Sequence, residues 1–258
     1  MEVTKYMLPQ NIEAHTEWNR LRIALVTDLH DRPYEAAISA IRDAKPDMIA
    51  VAGDLMWGRY HIITEPSEQE NALGFLTAAV TVAPTFYSFG NHETFTMYDG
   101  SFADMKPIVE TGAVLLDDSS VMWNGINIGG LSSPTVHVPI DKIGDDSNLK
   151  DREPNLQWLN KFDRLDGFKI LLCHQPEYYP KYLKSTSIDI VLSGHAHGGQ
   201  WRFFGQGIFA PGQGWFPKLT SGIHEERLVI SRGLANTAKI PRICNEPELV
   251  IVDVVSKR

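Results

Sequence analysis

Residues 21–31 read LRIALVTDLHD, a short apolar run that ends in a turn carrying aspartate and histidine. Turns of this kind, at the ends of apolar strands, are where an α/β sheet presents its functional groups. The same pattern recurs downstream, at Asp47–Ala52 before GDLMWG, Thr85–Phe89 before GNHE, Phe168–Leu172 before CHQPE, and Ile188–Leu192 before SGHAH. We therefore predict five strands, each of which ends in polar residues.

The segments between the first three strands have apolar residues at mixed three- and four-residue spacing, which predicts helices around Tyr34–Ala44 and Glu68–Ala79. The first third of the chain therefore reads β-α-β-α-β, and its strands should be parallel. After Gly112 the strands become shorter, as in Val121–Gly129, and the tail stretches EERLVISRG and ELVIVDVV indicate antiparallel pairing. We predict an α/β fold in which two mixed sheets form a two-sheet, four-layer αββα sandwich.

The chain has 258 residues, a length that suits one large domain or two small ones. Only one polar stretch, Pro139–Pro154, has the composition of a linker. It lies between strand ends that we expect to share one site, so we do not expect a domain boundary there. We predict a single domain over residues 1–258.

The composition, with 43% hydrophobic and 22% charged residues, is that of an ordinary globular protein. The formal net charge of −8 argues against a general affinity for nucleic acid or anionic membranes and favours a small or neutral partner. Two cysteines are too few for a disulfide scaffold, and no apolar run approaches ~20 residues. With no signal-like start in MEVTKYMLPQNIEAHTEW, we predict a cytoplasmic protein without a membrane segment.

Five of the nine histidines lie at the predicted strand ends, beside two aspartates and an asparagine. These residues are Asp28, His30, Asp54, Asn91, His92, His174, His195 and His197. Taken singly, an aspartate could cap a helix, an asparagine could serve a turn, and a histidine could be half-buried. Caps and turns do not explain why histidine occurs five times. Carboxylate, imidazole and amide oxygen are the ligands of hard and borderline cations, so the set predicts a metal site.

The order of these motifs resembles that of the calcineurin-like metallophosphoesterases, which is DxH, GD, GNH(D/E), H and GHxH. Here the motifs stand as Asp28-Leu29-His30, Gly53-Asp54, Gly90-Asn91-His92-Glu93, His174 and Gly194-His195-Ala196-His197. The longer stretches GHAHGGQ, SRGLANT and PELVIVDVV also resemble the small bacterial phosphodiesterase branch of that family.

The resemblance implies a dinuclear centre of two divalent metal ions, which could be manganese, iron or zinc. It places one cation on Asp28, His30, Asp54 and His197, and the other on Asp54, Asn91, His174 and His195. Asp54 would bridge the two, and a hydroxide between the cations would be the nucleophile. The resemblance further implies that His92 is the catalytic residue that gives a proton to the leaving oxygen.

These features predict a hydrolase that cleaves a phosphodiester or a small phosphorylated metabolite. Two alternatives stay open. The same site could serve a protein or nucleotide monophosphatase, and a chain of the same fold could be a metal-free binding protein without catalysis. The sequence does not indicate an oligomeric state.

Five further features have open or secondary roles. Glu93 either pairs with His92 or is an exposed loop carboxylate. Cys173 should face away from the site, as a small core residue, because strand neighbours point to opposite faces. Arg32 and Arg232 could contact phosphate or be simply exposed. The aromatic stretch Trp201–Trp215 could form a substrate wall or a hydrophobic hairpin under the core.

Overall fold

The computed structural model of the protein describes residues 1–14, 16, 18–57, 69–95, 106–134, 153–236 and 241–257. The strands in this part are β1 (Glu2–Gln10), β2 (Arg20–Val26), β3 (Met48–Ala52), β4 (Thr85–Ser88), β5 (Val114–Leu115), β6 (Ser119–Trp123), β7 (Ile126–Leu131), β8 (Phe168–Cys173), β9 (Ile190–Ser193), β10 (Arg202–Phe203), β11 (Gln206–Gly207), β12 (Phe209–Ala210), β13 (Gly214–Trp215), β14 (Gly222–His224), β15 (Leu228–Ile230) and β16 (Glu248–Ser256). The helices are α1 (Glu35–Ala44), α2 (Glu70–Val80), α3 (Asn91–Phe95), α4 (Lys106–Glu110) and α5 (Leu156–Asp163).

Most strands belong to two six-stranded sheets. The first has the order β1-β16-β2-β3-β4-β5, and the second has the order β14-β15-β9-β8-β7-β6. Strands β2, β3, β4 and β5 are parallel to one another, which confirms the predicted β-α-β-α-β start. In the second sheet β7, β8, β9 and β15 are parallel, and the edge strands β6 and β14 pair antiparallel with their neighbours.

Apolar side chains form three core clusters, one between the two sheets and one on the outer face of each sheet. Along β2, Ile23 and Leu25 face the second sheet, where they pack in a cluster with Ile170 and other strand residues. Their neighbours Ala24 and Val26 face α1 and α2 instead, because successive strand residues point to opposite faces. On the outer face of the second sheet, α5 packs against β8 and β9. The predicted two-sheet αββα sandwich is therefore confirmed.

Several local predictions need refinement. Val121–Gly129 spans β6 and β7, which form a hairpin around Asn124 and Gly125. Both turn residues have positive φ, as a two-residue type I′ turn requires. The antiparallel prediction for the tail is half right, because β15 is antiparallel to β14 but parallel to β9. Likewise β16 is antiparallel to β2 but parallel to β1. Most of Pro139–Pro154 lies outside the described residues.

The carboxyl ends of the central strands meet between the two sheets. Within the first sheet, the backbone N–H of Asp28 donates to the carbonyl of Gly53 over 3.1 Å. Within the second, Gly194 donates to the carbonyl of His174 over 3.0 Å. The ring Nδ1 of His174 lies 2.8 Å from the carbonyl oxygen of Ala52, which joins the two sheets at this end. Polar residues that follow separate strands are thereby brought to one place.

Candidate metal centre

The sequence-predicted site residues lie together and are largely buried at this meeting point. Their ligand atoms form three groups, each within 4.8 Å: Asp28, His30 and His197; His30, Asp54 and His92; and Asp54, His174 and His195. Asp54 lies in two of these groups, and its Oδ2 is 3.1 Å from His174 Nε2 and 3.9 Å from His30 Nε2. The first residue of α3, Asn91, is buried at the end of β4. Seven side chains from five separate strand ends thus line one largely buried cluster.

The backbone at five of these residues is left-handed. The φ angles are 54° at Asp28, 50° at His30, 51° at Asp54, 65° at His195 and 45° at His197. Aspartate and histidine are among the non-glycine residues that tolerate this region best. A single left-handed residue turns the chain sharply, so each strand ends abruptly where its polar side chain meets the others.

Two glycines of the site are required by close approach. A Cβ atom at Gly90 would lie 2.2 Å from Asp54 Oδ1, and one at Gly194 would lie 2.6 Å from Asp28 Oδ2. Both distances are shorter than a side chain tolerates, so only glycine lets these loops close on the two carboxylates. The first glycine of the GNHE stretch and the first of the GHAHGG stretch therefore make room for acidic side chains.

The charges of the cluster are set by burial and by neighbouring side chains. Burial alone would raise the pKa values of Asp28 and Asp54, but the adjacent imidazoles, His197 foremost for Asp28 and His174 foremost for Asp54, hold both well below the usual range. Although burial opposes it, the carboxylate of Asp54 raises the pKa of His174 to about 10. Burial lowers the pKa of His195 to about 3 and that of His197 to about 4. Ionised carboxylates and neutral imidazoles are the forms that bind cations, so the two aspartates, His195 and His197 are in that form at neutral pH, whereas His174 would have to release a proton to bind one.

The residues fit divalent cations. Asp28 Oδ1 and both ring nitrogens of His30 are buried and make no hydrogen bond to other described residues. Buried polar atoms are normally satisfied, and leaving one without a partner costs about 1–3 kcal/mol. Cations coordinated by these oxygen and nitrogen atoms would satisfy them, and the donor set suits manganese, iron or zinc.

Glu93 is buried, so the prediction of an exposed loop carboxylate is wrong. Its oxygens accept hydrogen bonds from the backbone N–H groups of Asp54, Met56 and Gly90 at 2.7–2.9 Å, and from the hydroxyl of Tyr87 at 2.8 Å. The carboxylate thereby joins the loop that carries Asp54 to the loop that carries Asn91 and His92. Its pairing with His92 stays a prediction.

We expect Glu93→Gln to lower the free energy of unfolding by about 3 kcal/mol, because an amide cannot accept from donors on both sides and a buried N–H is left unpaired. Denaturant unfolding of the purified variant measures this. Glu246→Gln, which makes the same change at an exposed position, should be within about 0.5 kcal/mol of wild type. Equal stability of the two variants would contradict a connecting role for Glu93.

Three side chains that the sequence did not single out also contact the cluster. The ring of Trp57 stacks on His92 with centroids 5.2 Å apart, and Arg32 lies 5.9 Å above the same ring. Glu177 Oε1 is 3.7 Å from His195 Nε2. Arg242 Nη2 is 3.1 Å from His197 Nδ1. Trp57 and Glu177 follow predicted strand ends by a few residues each, a signal that could have flagged them.

Arg32, Arg232 and Cys173, whose roles the sequence left open or secondary, have different surroundings. Arg232 forms ion pairs with Glu2 at 2.6 Å and Glu248 at 3.0 Å, so its guanidinium is engaged away from the cluster. Arg32 stacks on an aromatic ring beside the cluster, as described above. Cys173 is fully buried among apolar residues on the outer face of the second sheet, which confirms its predicted packing role. Burial also raises the pKa of its thiol.

Burial raises the pKa of Glu177 from its usual 4.5 to about 7. The folded state therefore favours the neutral acid, and ionisation opposes folding. With metals removed by chelator, wild type should lose on the order of 2 kcal/mol of unfolding free energy relative to Glu177→Gln as the pH rises from about 4.5 to about 7. Denaturant unfolding of both proteins across this range measures the difference. Curves that stay parallel would contradict the raised pKa.

The aromatic stretch 201–215 forms two small hairpins, β10–β11 and β12–β13. They lie beside the loop of His195 and His197, since a Cβ atom at Gly199 would lie 2.5 Å from the Cα atom of Gly207. Phe203, Phe209 and Trp215 are exposed. The prediction of a hydrophobic hairpin under the core is therefore wrong, and a substrate wall stays a prediction.

Comparison with protein families agrees with the motif order. A family model described as calcineurin-like phosphoesterase matches residues 21–199, which include the five motifs. An uncharacterized metallophosphoesterase of Campylobacter jejuni is 28% identical over 244 residues, which cover 92% of this chain and 60% of that protein. The protein YpbG of Bacillus subtilis is 25% identical over 236 residues, which cover 90% of this chain and 80% of that protein. The chain thus spans about three fifths of the Campylobacter relative.

Solved structures show similar but distant arrangements. The crystal structure of the protein TT1561 of Thermus thermophilus has a TM-score of 0.45 and 14% identity, covering 67% of this chain and 81% of that one. A dimetal phosphatase from Danio rerio has a TM-score of 0.41 and 13% identity, covering 69% of this chain and 82% of that one.

Proposed function

The chain belongs to the calcineurin-like phosphoesterases, and from this premise we propose that it hydrolyses phosphoester bonds of a small phosphorylated molecule at a two-cation centre. The observation that carries the proposal is the position of Asp54, whose carboxylate lies in one group of ligand atoms with His174 and His195 and in a second with His30 and His92. His30 belongs in turn to the group of Asp28 and His197. A shared anion between two groups is what two mutually repelling dications need. We propose that residues 1–258 form a single domain around this centre.

Two sets of side chains would hold the cations. Asp28, His30, Asp54 and His197 would hold one, and Asp54, Asn91, His174 and His195 would hold the other. The grouping of Asp28, His30 and His197, and of Asp54, His174 and His195, supports this division. The centre, when loaded, supplies an activated water at neutral pH and neutralises charge on the phosphoryl oxygens.

His92 is the proposed catalytic residue, and its surroundings fit the part of proton donor. Its backbone N–H donates to Asp54 Oδ1 over 2.9 Å, and its Nε2 lies 3.8 Å from Asp54 Oδ2. The ring is held between neighbours, stacked on Trp57 and edge-on to His30 with centroids 4.5 Å apart. A fixed imidazole that shares a group of ligand atoms with His30 and Asp54 can give a proton to the leaving oxygen.

Two alternative functions were left open by the sequence, a monophosphatase and a binding protein without catalysis. A protein or nucleotide monophosphatase could use the same centre, whereas a metal-free binding protein would have no need of it. The convergence of seven of the eight predicted residues favours a working hydrolase over the binding protein. None of the described helices is long and apolar enough to span a bilayer. Both cysteines are free, which fits the predicted cytoplasmic location.

The proposal is tested by metal analysis of the purified protein, followed by hydrolysis assays with manganese, iron or zinc added. We expect two cations per chain and turnover of a set of phosphodiesters and monoesters, abolished by chelator and restored by metal. A protein that binds no divalent cation, or that binds two and cleaves no ester, would overturn it. The relative rates on diesters and monoesters decide between the first two alternatives.

A further inference from the structure

Five aromatic side chains project from the two hairpins beside the centre, and we call them the aromatic surface. Phe204 is fully exposed, and the exposed fractions of the others are 50% for Phe203, 44% for Phe209, 71% for Trp215 and 66% for Phe216. Single exposed apolar residues are common, but a cluster of large rings on adjacent turns is unusual on a protein that contacts only water.

The hairpins hold these rings outward on a braced backbone. Phe204 lies at the turn of the first hairpin, between the paired residues Phe203 and Gln206. The two hairpins are joined because Ile208 donates to the carbonyl of Trp201 over 2.9 Å and accepts from the N–H of Phe216 over 2.8 Å. The rings of Phe209 and Trp215 contact each other edge-on at 5.5 Å. The exposure therefore belongs to an ordered surface.

The charge around the aromatic surface differs from that of the rest of the chain. The 28 residues from His195 to Gly222 contain no aspartate or glutamate, although the whole chain has 32 acidic residues. The same segment contains Arg202 and Lys218, and Lys218 is exposed. The net charge of −8 therefore resides in the rest of the chain, and the segment that carries the rings has two basic residues and no acidic ones. Among acidic side chains from elsewhere in the chain, Glu177 approaches this segment, at Gly212.

We propose that the aromatic surface docks on a lipid bilayer that contains anionic lipids. Aromatic rings with a nearby lysine suit the headgroup region, where the rings leave water and the ammonium meets phosphate. A fluid bilayer also accepts rings from two separate hairpin turns without a matching pocket, whereas a protein partner needs a complementary, rimmed face. The inference does not depend on the proposed hydrolase activity.

Docking would bring the centre close to the bilayer. The second hairpin contacts the cluster directly, since a Cβ atom at Gly212 would lie 2.1 Å from Oε1 of Glu177, which in turn is beside His195. The hairpins that carry the aromatic surface therefore lie next to the centre.

Vesicle flotation of the full chain tests the proposal, with vesicles of phosphatidylcholine alone or mixed with phosphatidylglycerol. We expect the protein to float with the mixed vesicles and much less with phosphatidylcholine alone. Phe204→Ser combined with Trp215→Ser should lower the partition coefficient at least about 10-fold, since each ring loses its transfer from water. Lys218→Glu should lower it about 5-fold on mixed vesicles only.

Met7→Ser combined with Met122→Ser is the matched control, because these residues are 71% and 66% exposed on β1 and β6, away from the hairpins. This control should float like wild type. Trp215→Phe should remove the quenching of tryptophan emission by brominated lipids, which reports the position of that ring. A wild type that stays unbound to both vesicles would overturn the proposal. A dimer that Phe204→Ser and Trp215→Ser dissociate would assign the surface to self-association instead.

Discussion

Replacing Asp54 by asparagine should empty both cation positions and lower turnover at least about 10³-fold. Loss of a residue that only supports a metal ligand typically costs about 10–100-fold in metal affinity, and a ligand shared by two cations should cost more. The amide keeps the oxygen that accepts from the backbone of His92, so the loop should hold its shape. What is lost is the negative charge between two dications.

Metal content per chain and turnover of one diester measure this. Asp118→Asn makes the same carboxylate-to-amide change in a half-buried residue that accepts from Ser132 and Asn155, outside the centre. It should leave metal content and turnover near wild type. A variant at residue 54 that still binds two cations and turns over normally would show that Asp54 does not bridge.

Replacing His92 by asparagine should have an effect that depends on the leaving group. A general acid contributes ~10²–10⁴-fold when the leaving oxygen needs a proton, and little when it leaves readily as an anion. We therefore expect the variant to keep both cations, to retain much of its activity on nitrophenyl esters, and to lose far more on alkyl esters of the same phosphate.

Paired rate measurements on the two ester types, with metal content determined on the same preparation, decide the role of His92. Trp57→Phe is the control, because it keeps an aromatic ring against His92. Its activity on nitrophenyl esters and on alkyl esters should fall less than that of the His92 variant. Equal losses on both esters with intact metal content would mean that His92 orients the nucleophile or the phosphate and donates no proton.

The strands that carry the site could be predicted because they are buried on both faces. Leu21–Val26 and Phe168–Leu172 are apolar except for one basic residue each near the start, Arg22 and Lys169, as expected of parallel strands covered by a helix layer and by a second sheet. The polar strand ends could also be predicted, because aspartate and histidine that directly follow a buried strand are seldom explained by packing alone. The edge strand β1 was not predicted, because its residue types do not follow its burial: Val3 and Met7 are exposed whereas Gln10 is buried, and the strand includes Pro9.

The surroundings of the site were harder to predict, because they depend on contacts between loops. Arg242 reaches His197 across 45 residues of sequence, and its local sequence has no feature that points to this contact. The residues next to Glu93 in the sequence do not decide whether its carboxylate is exposed or paired with His92. Only the close packing of the loops around Gly53–Asp54 and Gly90 places three backbone donors about its carboxylate.

The five left-handed aspartates and histidines of the centre also bear on heat resistance. Each such residue costs about 1–2 kcal/mol relative to relaxed backbone, and five together approach the whole net stability of a typical domain. Cations that bind only the folded form stabilise it by mass action and can offset this cost of the left-handed backbone. The melting temperature of this protein should then rise with the concentration of free divalent cation. In a cell with little free metal, the same chain should unfold at a lower temperature.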